Sequence, residues 1–348
     1  MKILLVAPSE GILGHIADWT KDAFISYNHD VRSFDYRKSP HSFLTRIADR
    51  LSIMKDLKAK KMNSDLLREI NNYNPDYILV FLGENIHSST LMDIKEKSNA
   101  TLINWFHDTV VSKYRNKFLQ EYPKYYDFFF IIDSLKALKE INITADNFQT
   151  LVMACDENVH KKININEEDK TKYKSKVSFI GTVVPQRVKV LEHIADLDLS
   201  IWGSKYNIFG NWIKEFPVLA KSYRRGPFKE YSEVVKIINS SDIIVNIHGF
   251  TGEKHFDMPS RTFEVAGCGT FQLTEYTESI SEYFEIGKEI ICFKTKEELR
   301  DLIKYYLSQT KEREEIAKNA QKRTYKDHTF KQRIKKMLEI IKNEKQKM

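Results

Sequence analysis

Residues 241–275, SDIIVNIHGFTGEKHFDMPSRTFEVAGCGTFQLTE, constrain this chain more than any other stretch. The run at 243–247 is short, β-branched and continuously apolar, the pattern of a strand buried on both faces of a parallel sheet. A polar loop follows over 248–258. Pro259-Ser260 then signals a helix start, and the short helix it opens carries Arg261 and Glu264. Gly267 and Gly269 stop that helix, and 270–274 reads as the next strand. Strand, loop, helix start and strand make an α/β crevice. The free N–H groups of the helix's first turn and the positive end of its dipole face that crevice, which favours a phosphate. Arg261 stands where a cation is unfavourable to the dipole, so an anionic ligand would account for it. The alternative is an ordinary surface pair between Arg261 and Glu264 at i and i+3.

The chain has 348 residues, enough for two domains. Its 42% hydrophobic and 30% charged residues are those of a soluble globular protein. No run of about 18 apolar residues is available to span a membrane. The start, MKILLVAPSE, reads as a first strand and not as a signal peptide. Cys155, Cys268 and Cys292 have neither disulfide nor zinc spacing, which suits a reducing cytoplasm. A net charge of +7 is explained as well by a phosphate-bearing small molecule as by RNA. No nucleic-acid-binding module is present, so none is expected as a partner.

Strands are expected at 2–7, 31–36, 75–83, 101–105, 126–132 and 150–154, with helical tracts between them, which implies a parallel, doubly wound sheet. The loop PSEGILG after the first strand carries Gly11 and Gly14, but its spacing is not the dinucleotide fingerprint. The tract at 46–61 is rich in Lys and Arg. It reads either as a solvated helix face or as a peripheral contact with an anionic membrane surface, here the inner membrane. Residues 156–176 are highly charged and read as a linker. The second half repeats the plan: strands at 177–180 and 199–202, a helix at 231–239, the central stretch, a strand at 289–293, and helices at 296–308, 310–323 and 330–345.

Several segments of the second half resemble one family: RTFEVAGCGTFQLTE preceded by SSDIIVNIH, VSFIGTVVPQRVKVLEHI, LSIWG and DHTFKQR. They are similar to the nucleotide-sugar domain of GT-B glycosyltransferases, in the spore-maturation CgeB-like branch. The resemblance is strong over 177–335 and weaker before it, where NWFHD resembles the family's Trp-Phe-x-Asp. It implies two Rossmann-like domains with parallel sheets facing a central cleft: an acceptor-side domain at 1–155, the linker at 156–176, and a nucleotide-sugar domain at 177–325. A C-terminal helix at 326–348 would pack back on the first domain. By the same resemblance, Glu264 would hold the ribose hydroxyls of the donor. Gly181 and Arg187 would meet the diphosphate, joined by Arg261 and His248. His107 and Asp108, with Glu264 the catalytic candidates, would face the reacting carbon or the acceptor, as a general base in an inverting reaction or orienting the leaving group or acceptor in a retaining one, with Gly14 and His15 on the acceptor side.

The implied activity is sugar transfer from a nucleoside-diphosphate sugar, used as a substrate and not a cofactor. The acceptor would be a sugar, lipid-linked or protein group, as in glycan or surface-polysaccharide synthesis. No metal is expected, because a helix N-terminus and basic residues replace the cation. One departure stands out. Retaining members carry a second acid eight residues before the helix glutamate, where this chain has Phe256, with Glu253 and Asp257 nearby. The helix around Glu264 still favours retention over inversion. A nucleotide-sugar epimerase or a phosphorylase would share the fold, and a non-catalytic spore or surface assembly protein with a decayed site would share the sequence.

Overall fold

In a computed structural model, residues 1–37, 52–110, 115–143, 146–207, 210–226, 228, 230–248 and 258–347 are described. The chain divides into two compact units, residues 1–152 with 333–348, and residues 153–332. The charged stretch expected as a linker is folded into the second unit. Its helix Glu167–Tyr173 is capped by the Asn166 side chain, which accepts from the Asp169 N–H, and Tyr173 anchors it in the core. Charge alone misleads there, because the few apolar residues between the charges are the ones that pack.

The first unit holds β1 (Lys2–Val6), β2 (Asp30–Phe34), β3 (Tyr77–Phe81), β4 (Thr101–Phe106), β5 (Phe128–Ile131) and β6 (Phe148–Thr150) in one parallel sheet, ordered β2-β1-β3-β4-β5-β6. Inner strands such as β4 are buried at every position, as continuous apolar runs require of a sheet covered on both faces. The helix Phe330–Lys347 closes the chain. From Arg333 it belongs to this unit, where Arg333 Nε donates to the Val152 carbonyl at 2.9 Å. Of the basic tract at 46–61, positions 46–51 lie outside the described residues. The rest opens the helix Ser52–Tyr73, where Lys60 pairs with Asp56 at 2.7 Å.

The second unit holds β7 (Ser175–Ile180), β8 (Leu199–Trp202), a small β9 (Tyr206–Asn207) and β10 (Gly210–Asn211) ladder, β11 (Ser241–Asn246), β12 (Gln272–Glu275) and β13 (Ile291–Phe293). Its main sheet is parallel, ordered β13-β12-β11-β7-β8. Strand alternation sorts β11 between two layers. Ile243, Val245 and Ile247 pack with Val188, Leu191, Leu299 and Ile303, whereas Ile244 packs with Val234, Val235, Ile237, Ile238 and Val265. Each such burial contributes about 1.5–3 kcal/mol relative to an exposed side chain. The order of the strands reverses between β7 and β11, and open α/β sheets bind ligands outside the carboxyl ends of strands at such a switch point.

Three glycines beyond β7 and β8 let backbones meet at that edge. A Cβ on Gly203 would stand 2.2 Å from the Gly181 carbonyl oxygen, and one on Gly226 would stand 2.3 Å from the Gly203 carbonyl carbon. Gly203→Ala should therefore destabilise the chain by about 1–3 kcal/mol, the usual cost of overpacking, read as a lower urea midpoint at unchanged slope. An unchanged midpoint would show that these backbones can part freely.

Candidate nucleotide-sugar site

The helix Ser260–Gly267 begins beyond the carboxyl edge of the sheet, after β11 and the segment 249–257, which lies outside the described residues together with Glu253, Phe256 and Asp257. It packs on the same sheet face as the helix Tyr231–Asn239, through Val265 and Cys268 against Val234, Val235 and Ile238. Both helices follow strands of one parallel sheet, so both first turns lie at its carboxyl edge. That shared face places Tyr231 beside Glu264.

Arg261 and Glu264 pair at 2.6 Å, Nη1 to Oε2. This is not the surface pair that the spacing alone allows, since the Glu264 side chain is 1% exposed. Burial pushes the Glu264 carboxyl up. The Arg261 guanidinium, then His160 and hydrogen bonds from Tyr231 and Ser260, outweigh it and hold the group below the usual carboxylate range. Arg261 Nη1 and Glu264 Oε2 have each other, whereas Arg261 Nε and Thr262 Oγ1 are buried with no hydrogen-bond partner among the described residues. Buried polar groups are normally satisfied, and each one left unpaired costs about 1–3 kcal/mol. A guanidinium with a spare N–H, an unpaired hydroxyl and an ionised carboxylate within about one helical turn suit a polar, anionic ligand with hydroxyl groups.

The other expected contacts of this unit fall at the same edge. Gly181 follows β7, and a Cβ there would meet only the Phe179 ring at 3.3 Å and Arg187 Nη1 at 3.7 Å. Arg187 lies in the first turn of the helix Pro185–His193. Its guanidinium donates to the Thr182 carbonyl at 2.9 Å and lies 5.6 Å from the Phe179 ring centroid, so it is tethered at the switch point and is not a loose surface residue. His248 follows β11 and is buried, and its backbone N–H donates to Glu275 Oε2 at 2.8 Å.

The four remaining residues belong to the first unit. Gly14 sits in the helix Gly11–Ser26, where a Cβ would stand 2.6 Å from the Ser9 carbonyl, so its part is to let the preceding turn close. His15 stacks on Trp19. His107 follows β4, with its ring 4.2 Å from Phe81 and 4.6 Å from Trp105. Burial lowers it to about 3, and neither ring nitrogen has a hydrogen-bond partner among the described residues. A neutral imidazole of that kind suits a hydrogen bond to a ligand better than proton abstraction near neutral pH. Asp108 is held by Arg115 at 2.9 Å.

Sequence reasoning missed two members of the buried cluster. His160 lies in the supposed linker and reaches Tyr231, its Nε2 being 3.2 Å from the hydroxyl. Only the Asp-x-x-x-His spacing of Asp156 and His160 marks it in the sequence. Among the described residues no group of His, Cys, Asp and Glu is arranged to hold a metal ion, and no helix is long and apolar enough to cross a membrane.

Residues 186–339 match the family model described as glycosyl transferase-like. The chain is 22% identical to the spore protein CgeB of Bacillus subtilis (strain 168) over 289 residues, 78% of this chain and 84% of that protein. Among solved structures it resembles the sucrose-phosphate synthase of Thermosynechococcus elongatus, with a TM-score of 0.71 at 9% identity over the whole of both chains. It also resembles HepE of Anabaena in complex with UDP and glucose, with a TM-score of 0.65 at 14% identity over 99% of this chain and 100% of that one. The chain has the GT-B fold. In open α/β sheets of this kind ligands bind at the carboxyl edge, where the second unit places Gly181, Arg187, His248 and Arg261.

The buried imidazole has a measurable consequence. Burial, the larger effect, and Arg261 lower His160 to about 4, against the opposing pull of Glu264. Asp156, Tyr231, Glu264 and Arg261 are the polar groups around it. Between pH 6.5 and 4 the unfolded chain binds this proton and the folded one does not, so stability falls as pH drops through that window. Acidification from pH 7 to 5 should lose about 2 kcal/mol through His160 alone. In thermal melts His160→Gln should flatten the fall over that range, whereas an equal fall in the variant would place the titration elsewhere.

Proposed function

We propose that this chain is an enzyme that transfers a sugar from a nucleoside-diphosphate sugar to an acceptor hydroxyl without a metal ion. The observation that carries the reading is the buried Arg261–Glu264 pair at a helix start on the switch-point edge, with Arg261 Nε and Thr262 Oγ1 beside it left without a hydrogen-bond partner among the described residues. Glu264, ionised and buried, accepts hydrogen bonds from the ribose hydroxyls. Arg261, Arg187, the Gly181 loop and the helix N–H groups meet the diphosphate, whose charge grows as it leaves, and fixed donors aimed at developing charge are the strongest electrostatic aid available. His248 adds a contact to phosphate or sugar. UDP is the first nucleotide to test, because HepE was solved with UDP and glucose.

On the acceptor side the reading assigns His107 a hydrogen bond to the incoming group, with Asp108 held against Arg115 in an orienting role. A sugar, lipid-linked or protein acceptor is consistent with it. The likeness of the Glu264 helix to retaining members supports retention. The product would then keep the donor's anomeric configuration, read from the anomeric proton coupling by NMR, and the opposite anomer would overturn that part.

Thermal melting with a panel of nucleoside diphosphates tests the donor site. At 100 times its dissociation constant a ligand adds about 2.7 kcal/mol of stability. One diphosphate should give that shift in the wild type, and Glu264→Gln, which keeps the side-chain shape, should lose most of it. If no diphosphate or nucleotide sugar shifts the wild type, the transferase reading fails and a non-catalytic assembly protein becomes the better account.

A further inference from the structure

His160 is fully buried in the turn that leads towards the second sheet. Its Nδ1 accepts from the Asp156 N–H at 3.0 Å. The Asp156 carbonyl lies 3.2 Å from that nitrogen and accepts the His160 backbone N–H at 2.7 Å; an ionised Glu264 can only accept from Tyr231, which leaves Tyr231 to accept from His160 Nε2. A neutral imidazole carries one N–H, so the backbone amide fixes the ring proton on Nε2. That N–H points at the Tyr231 hydroxyl, 3.2 Å away. A phenol has one proton to give, and Tyr231 is hydrogen-bonded to Glu264. The Arg261 guanidinium also donates to the Tyr231 hydroxyl, so the bonds run one way: backbone amide to imidazole, imidazole and guanidinium to phenol, phenol to carboxylate.

The frame around the relay is tight. The His160 and Tyr231 rings meet edge to face, 5.4 Å apart at 83°. The His160 carbonyl and the Gly267 carbonyl both lie 3.0 Å from the Tyr325 hydroxyl. A Cβ on Gly267 would stand 3.0 Å from the His160 carbonyl oxygen and 3.1 Å from its Cβ. Gly267 is in the same helix as Glu264, so the turn that carries His160 lies in direct contact with the helix it serves.

We infer that Tyr231 and His160 are positioning residues for Glu264, whose one-way hydrogen bonds orient the carboxylate so that its remaining lone pairs meet the ribose hydroxyls of the donor. This rests on the donor site proposed above. Neither residue touches the donor. Both act through the carboxylate, and Tyr231 bonds to Arg261 as well, so the part of their effect that depends on a ligand's hydroxyls is the part that tests the inference.

Calorimetric titration with UDP, GDP, ADP and CDP, each beside its 2′,3′-dideoxy form, separates the possibilities. The wild type should prefer one ribonucleoside diphosphate over its dideoxy form, and Tyr231→Phe should reduce that preference on the order of tenfold, the weight of one hydrogen bond to a charged group. Its affinity for the dideoxy form should fall less than that for the ribonucleotide, since Tyr231 also bonds to Arg261. His160→Gln, which keeps an N–H for Tyr231, should retain more of the preference than His160→Leu, and that pair decides the matter if Tyr231→Phe does not fold. An unchanged preference in Tyr231→Phe, or an equal loss for both ligand forms, overturns the inference while leaving the donor site standing. A wild type that binds none of these diphosphates overturns both.

Discussion

The second unit is built around a charge pair taken out of water. Arg261 and Glu264 would contribute only about 0.2–0.5 kcal/mol as an exposed helical pair. With Glu264 at 1% exposure, both ions lose hydration that their mutual attraction recovers only with good geometry and further hydrogen bonds. Much of the surrounding structure supplies those bonds or fixes the helix that carries the pair. Gln272 on β12 donates to the Thr262 carbonyl, Gln321 and Tyr325 donate to the Gly267 carbonyl, and Tyr231 and Ser260 bond to Glu264.

Sheet topology explains why such a pair can be assembled at all. Helices that follow parallel strands start at the carboxyl edge, so every first turn arrives there with its amides unpaired. Apolar alternation on β11 then decides which helices share a face. Because Ile244 points to the same layer as Val234, Val235 and Val265, the helices beginning at Tyr231 and Ser260 become neighbours. The polar contact between Tyr231 and Glu264 is thus a consequence of apolar packing one turn further along.

The legible parts of the sequence were those with local signatures. Continuous runs such as ILLV, YILVF and DIIVN announced β1, β3 and β11, and Pro259-Ser260 announced the helix that follows. Arg261 and Glu264 were found because three positions on one helix are close by construction. His160 was not, because its partner Tyr231 is 71 positions away and the apolar residues around it are diluted by charge. Val159 and Ile163 anchor that segment on the core, two side chains too few to give a period. Short helices such as Asn116–Glu121 and Ile280–Tyr283 were missed for the same reason, since about one turn of helix is held by tertiary packing and carries no pattern of its own.

The chemistry of Glu264 also limits which part it plays. A carboxylate held below its usual range is a weaker proton acceptor, which suits it less to the part of base for an incoming hydroxyl. It stays ionised and accepts hydrogen bonds over the whole neutral range, which is what recognition of hydroxyl groups requires. His107 is constrained in the same direction by its burial between Phe81 and Trp105. Neither group is tuned to the neutral pH at which general bases work best. Transfer would instead draw on fixed charge and position, and in glycosyl transfer from a diphosphate the leaving group itself carries the negative charge that most needs stabilising.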